Sequence, residues 1–201
     1  MKSYQTAWTW LHKTRQVMVG PGRGGLSGVV EVDETCLGGS ESGGNRGGGT
    51  GNKALVVIAV GCEGKRLGGV RMPVITNASW ESLGVFIGEN ISKGSTILTD
   101  GWPAYAKLEA EGYRHEFYNQ NEATQGEETL PQVYLVVSLL KRWLLGIRQG
   151  AVQPKHLQGY LEEYTFRFNR KNSAQRGLLF YRLLGNAILI EPLTYRKLVE
   201  G

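Results

Sequence analysis

Residues 28–36 read Gly-Val-Val-Glu-Val-Asp-Glu-Thr-Cys. Val30 and Val32 alternate with Glu31 and Asp33, the period of two that sends successive side chains to opposite faces of a strand. Glu31, Asp33 and Thr35 therefore share one face, and Glu34 lies on the other. The position of Asp33, in the C-terminal part of this strand, gains weight from the composition. Of 18 acidic residues 16 are Glu, and the two aspartates are Asp33 and Asp100.

Working outward, residues 53–61 (KALVVIAVG) form a buried strand, and residues 67–75 a weaker one broken by Pro73. Residues 79–91 read as a helix with Trp80, Leu83, Phe86, Ile87 and Ile91 facing inward. Residues 95–99 make a short strand that ends at Asp100. Pro103 suits the first turn of a helix running to Glu111, and residues 113–118 are a further strand. Residues 119–129 are loop-like, and 130–146 are a strongly apolar helix. Pro154 opens a helix to Arg170, and a last helix spans 174–186. At the other end, residues 4–18 place Ala7, Trp8, Leu11, Val17 and Met18 on one helical face.

Three successive strands followed by strand–helix alternation imply an α/β fold, a mixed sheet flanked by helices rather than a purely parallel one. The segments expected are an N-terminal helix and linker (1–24), a core (25–150), and basic C-terminal helices packed on that core (151–201). The core contains a loop, residues 38–51, with eight glycines in fourteen positions. Lys53 leads from it into a strand and not a helix, so it is no phosphate-cradling P-loop.

Composition narrows the class. The chain has 201 residues, 41% hydrophobic and 20% charged, enough for a packed core and too apolar for wholesale disorder. No apolar run is long enough to cross a membrane, and the first residues lack the apolar stretch of a signal peptide. Cys36 and Cys62 form no CxxC pair, which excludes a disulfide scaffold or zinc ribbon; each is expected to be a small buried hydrophobe. The formal charge is +5, and residues 141–201 carry 11 basic against 4 acidic groups. A polyanion is the partner that such a surface fits.

With strands one and four adjacent, Asp33 and Asp100 would approach each other. Two close carboxylates repel unless protonated or bridged by a cation, and hard oxygen donors suit Mg²⁺ or Mn²⁺. The same residues also suit local roles, Asp33 at a strand end and Asp100-Gly101 in a turn. Residues 164–171 (YTFRFNRK) interleave Tyr164, Phe166 and Phe168 with Arg167, Arg170 and Lys171. Guanidinium groups and aromatic faces together suit backbone phosphates and unstacked bases, with Arg167, Arg170, Lys171 and Arg176 as the phosphate contacts; at helical spacing Leu161, Tyr164, Thr165 and Phe168 also fit a core stripe. His115 is expected to be structural, and His12 and His156 solvated.

These motifs, read together, resemble one family. Val30-Glu31-Val32-Asp33-Glu34-Thr35, Gly38-Gly39, and Thr99-Asp100-Gly101-Trp102 with Ala104-Tyr105 look like the catalytic domain of ISXO-like insertion-sequence transposases. That group lies in the DDE, ribonuclease-H-like superfamily. Ser138–Gly146, His156–Glu163 and Phe166–Arg170 are similar to the same group, in the same order. The resemblance implies a ribonuclease-H-like mixed five-stranded sheet with extra C-terminal helices. It also implies DNA transposition by metal-dependent phosphodiester hydrolysis and strand transfer. Asp33 and Asp100 would hold Mg²⁺ or Mn²⁺, and Lys141 and Arg142 would contact DNA. Double-stranded element ends and target DNA would be the partners, bound by a homodimer or higher oligomer in a bacterial cytoplasm.

The sequence departs from the family at the third catalytic position. That position, seven residues before the helix lysine, is typically Glu and here is Tyr134, a poor Mg²⁺ ligand at neutral pH. Glu127 or Glu128 could stand in from the preceding loop. A zinc-ribbon or DNA-binding region usual in relatives has no match, which reads as N-terminal truncation. Three functions remain open: an active transposase, a catalytically inactive DNA-binding remnant, and a ribonuclease-H-like nuclease without strand transfer.

Overall fold

The computed structural model describes residues 3–20, 23–38, 53–64, 66–118, 130–148, 152 and 154–200. All but the first residue of the glycine-rich loop lies outside the described residues, as do Glu127, Glu128 and the polar stretch before them. The chain divides into two compact units, Gly24–Pro154 and Met1–Arg23 with Lys155–Gly201.

The first unit is built on β1 (Val29–Leu37), β2 (Ala54–Glu63), β3 (Arg66–Arg71), β4 (Val74–Ile75), β5 (Thr96–Thr99) and β6 (Arg114–Phe117). The sheet runs β3-β2-β1-β5-β6, with β4 also paired to β2. The pairs made by β2 are antiparallel, whereas β1–β5 and β5–β6 are parallel. Parallel neighbours need a crossover, supplied by the helix α2 (Trp80–Asn90) before β5 and a 3-10 helix (Pro103–Lys107) before β6. An antiparallel meander extended by two parallel strands is the ribonuclease-H-like arrangement. Six strands replace the expected five because Pro73, which has no N–H to donate, splits the third strand and leaves a two-residue remainder.

Each face of the sheet buries its own layer. Val30, Val32, Val57, Ala59 and Ile97 pack with Leu83, Phe86, Ile87 and Ile91 of α2 and with Tyr105 and Leu108. On the other face, Val56, Ile58 and Val60 are buried, and α3 (Pro131–Arg148) packs against β1 and β2. Its buried residues Val133, Val136, Leu140 and Leu144 recur at helical spacing. Burial on both faces explains why β2 reads as one continuous apolar run. The helix expected from Pro103 to Glu111 is instead a five-residue 3-10 helix, Pro103–Lys107, with Tyr105 and Leu108 both turned into the core. Cys36, expected to be buried, is exposed near the end of β1.

The second unit contains α1 (Tyr4–Met18), α4 (Pro154–Asn169), α5 (Leu178–Leu189) and α6 (Tyr195–Glu200). The last helix thus begins later than expected, and α6 has no counterpart in the sequence reading. The inward face of α1 also differs. Leu11 is exposed, while His12 and Arg15 are buried. Arg15 donates from Nε to Glu163 Oε2 at 2.8 Å, and its guanidinium lies 4.4 Å from the Tyr160 ring centroid. His12, expected to be solvated, lies against the rings of Trp8 and His156, with centroids at 4.3 and 4.6 Å and tilted planes. A partnered charge and packed rings make that face buriable, which apolar periodicity alone does not register.

Ile87→Ala should lower unfolding free energy by about 2–5 kcal/mol in denaturant titration. Leu11→Ala should change it by less than about 0.5 kcal/mol despite removing a similar side chain.

Candidate active site

The β1–β5 pairing positions the site. Its register matches Val29 with Thr96, Val30 with Ile97 and Glu31 with Leu98. The paired residues end there; Asp33 lies two residues further along β1 and Asp100 just past the end of β5, near enough for the Asp100 charge to act on Asp33. One oxygen of each carboxylate is fixed locally. Asp33 Oδ1 accepts the Glu34 N–H at 2.8 Å, and Asp100 Oδ1 accepts the Trp102 N–H at 3.0 Å. Among the described residues, the second oxygen of neither carboxylate has a hydrogen bond. Gly101, at φ +83°, takes the left-handed turn that carries the chain away from Asp100. Asp100 therefore opens a turn and lines the site at once.

Electrostatics at the pair are unfavourable without a counter-charge. Burial pushes the Asp33 carboxyl up to about 6; the Glu34 N–H opposes that rise and the Asp100 charge adds to it. Glu34, on the opposite face of β1, is raised to about 7, mainly by burial and also by the charges of Asp33 and Asp100. Its Oε1 accepts the hydroxyl of Tyr105, a fully buried residue, which ties the end of β1 to the 3-10 helix. Beside Asp100, Thr99 Oγ1 and His115 Nε2 are 2.9 Å apart, and burial lowers the His115 pKa. His115 thus has the structural setting expected of it.

The third family position lies on α3. Tyr134 is half-buried in the first turn of the helix, where its N–H bonds to Leu130 O at 3.0 Å. Among the described residues, no three His, Cys, Asp or Glu side chains are grouped to hold a metal ion. The donor set that is present, two aspartates with one oxygen each turned away from local hydrogen bonds, suits a hard divalent cation that keeps several waters.

Sequence reading missed Glu31. It is buried, and its Oε2 accepts the backbone N–H of Gln132 at 2.9 Å and of Val133 at 2.8 Å. Gln132 in turn donates from Nε2 to Gly64 O at 2.9 Å. The sequence carried no clear signal for this: a helix read over 130–146 has Thr129, a capping residue type, before it, and only the observed start at Pro131 puts Leu130 at the cap position and leaves the first amides in need of an acceptor from elsewhere.

The basic candidates fall on both units. Lys141 and Arg142 are exposed on α3, and Arg167, Lys171 and Arg176 are exposed in the second unit. Arg167 pairs with Glu163 at 2.7 Å, so part of its charge is already engaged. Arg170 is half-buried, 4.0 Å from the Phe166 ring centroid, and Lys171 lies 4.0 Å from that of Phe168. Tyr164, Phe166 and Phe168 are buried, so these aromatics serve packing and present no faces to bases.

Residues 25–169 match the family model described as ISXO2-like transposase domain. No curated protein matches the sequence. Among solved structures the chain is similar to one from the simian T-cell lymphotropic virus intasome in complex with PP2A regulatory subunit B56 gamma. That likeness has 16% identity and a TM-score of 0.47, over 85% of this chain and 62% of that one. A second similar structure is the catalytic core domain of BIV integrase, with 13% identity and a TM-score of 0.45, over 81% and 97% of the two chains. This chain therefore spans less than two-thirds of the length of the first. The strand order, and not these likenesses, carries the fold assignment.

The raised carboxyls predict a pH-dependent stability. Between the ordinary carboxylate pKa of about 4 and the raised values near 6 and 7, the folded state binds more protons than the unfolded state. Stability from these groups is full below about pH 4 and is lost as pH rises through about 7. Metal-free protein should lose thermal stability from pH 5 to pH 8. Asp33→Asn and Glu34→Gln should each flatten that slope, as melting curves across the range would show.

Proposed function

The chain belongs to the ISXO2-like transposase domain family, and from that premise we propose that it acts on DNA in transposition, through phosphodiester hydrolysis and strand transfer at a divalent cation held by Asp33 and Asp100. The observation that supports this best is the parallel pairing of β1 with β5, the strands that carry Asp33 and lead into Asp100, together with the effect of the Asp100 charge on Asp33. Mg²⁺ or Mn²⁺ fits the donor set and would supply charge neutralisation at the scissile phosphate and a more acidic bound water. The chain's own residues do the rest. The Glu34 and Trp102 amides orient the two carboxylates by holding one oxygen of each. Lys141 and Arg142 neutralise backbone phosphates along α3, and Arg167, Arg170, Lys171 and Arg176 extend the contact. Element ends and target DNA are the duplexes bound, by two or more copies of the chain.

A second reading has its own support. With tyrosine at position 134, and with Glu127 and Glu128 outside the described residues, the described residues hold no third carboxylate grouped with the two aspartates, so a DNA-binding copy without catalysis is the alternative. Strand cleavage and joining on candidate end DNA separates the two, using wild type, Tyr134→Glu and Tyr134→His with Mg²⁺ or Mn²⁺. Joining by the wild type establishes a competent enzyme. Joining only by the substituted proteins establishes an active site lost at position 134. Cleavage without joining by all three points to a nuclease.

Cation binding has a separate check. Mn²⁺ should raise the melting temperature of the wild type at pH 8 and do so much less at pH 5, where protons compete for the carboxylates. Asp33→Asn and Asp100→Asn should each abolish the rise. An equal rise in all three proteins would place the cation elsewhere.

A further inference from the structure

The helix α3 carries the third family position, yet it brings no cap of its own. Leu130 occupies the residue before the helix, and its carbonyl accepts the first intrahelical bond, from Tyr134. A leucine side chain cannot accept the amides two and three residues on, and Pro131 contributes no N–H. The carboxylate that meets those amides comes from β1, about a hundred residues earlier in the chain. Glu31 Oε2 receives both Gln132 and Val133, at 2.9 and 2.8 Å.

Residue period links this contact to the site. Glu31 and Asp33 are two positions apart on β1 and lie on the same face, over which α3 packs. One stretch of strand thereby fixes the helix with one residue and lines the site with the next on that face. The Gln132 side chain adds a second tie, to Gly64 O in the β2–β3 turn. Backbone amides at a helix start are a fixed target, and a buried carboxylate bonded to two of them makes charge-assisted bonds of restricted geometry.

We propose that Glu31 is a positioning residue that sets α3, and with it residue 134, against the Asp33–Asp100 pair. It touches neither cation nor DNA and acts through the helix. The proposal rests on the cation site described above for its functional consequence, but the capping contact stands on its own geometry. It gives Glu31 a consequence that depends on what residue 134 is. With tyrosine there, loss of Glu31 leaves the two aspartates as the ligand set. With a carboxylate there, loss of Glu31 removes the third ligand from its place.

The test is a double-mutant cycle read by Mn²⁺ affinity at pH 8. Tyr134→Glu alone should tighten Mn²⁺ binding. Glu31→Ala should cost that variant about tenfold or more in affinity, the scale of an outer-shell loss, and cost the wild-type background less than about twofold. Hydrogen exchange supplies a readout independent of any metal. The Gln132 and Val133 amides should exchange at least about tenfold faster in Glu31→Ala, with those of β2 unchanged. Glu31→Gln, which keeps an acceptor oxygen, should recover much of the protection and serves if the alanine variant does not fold. An equal affinity loss in both backgrounds would reduce Glu31 to a general stability role and overturn the proposal. So would a Tyr134→Glu protein that binds Mn²⁺ no tighter than wild type, or unchanged exchange at residues 132 and 133. If no variant binds Mn²⁺, the cation site itself fails, while the exchange data still decide the capping role.

Discussion

The parallel pairing of β1 with β5 is the constraint on which the rest depends, because it joins the antiparallel meander to the strand that leads into the second aspartate. On one side, β1 pairs with β2 over nine residues, which locks its alternation and hence which face Asp33 occupies. On the other side, three matched pairs with β5 set how far along the sheet Asp100 sits. A slip of one residue in either pairing would turn Asp33 into the α2 layer or move Asp100 out of line. The apolar layers on both faces hold that register. Val30 and Val32 are packed with α2, and the opposite face lies against α3.

Such a site is held in place against its own electrostatics. Asp33, Glu34 and Asp100 form a group of like charges at the end of β1, partly withdrawn from water, and the packing of the unit supports the arrangement. Among the described residues three hydrogen bonds soften it: the Tyr105 hydroxyl to Glu34, the Glu34 amide to Asp33 and the Trp102 amide to Asp100. A carboxylate cluster maintained at such a cost is a setting that a divalent cation stabilises.

Much of this was legible in the sequence, for identifiable reasons. Period two on β1, the amphipathic helix 79–91 and a strand ending at Asp100 are local patterns, so the elements of the sheet followed from them. What escaped depended on long-range partners. Glu31 looks like an ordinary polar residue in a strand until the capless start of α3 is set beside it. His12 and Arg15 look solvated until Trp8, Tyr160 and Glu163 supply rings and a counter-charge. The aromatics of residues 164–168 could be read as stacking faces or as core, and burial assigns them to core. Tyr134 was visible at once, since its meaning lies in its chemistry and not in its contacts.

The central claim is that Asp33 and Asp100 share one cation. Anomalous diffraction from crystals grown at pH 8 with Mn²⁺ tests it most directly. The account predicts one strong peak within about 2.5 Å of an oxygen from each carboxylate. Aspartate side chains pointing apart, with no manganese peak between them at saturating concentration, would contradict it.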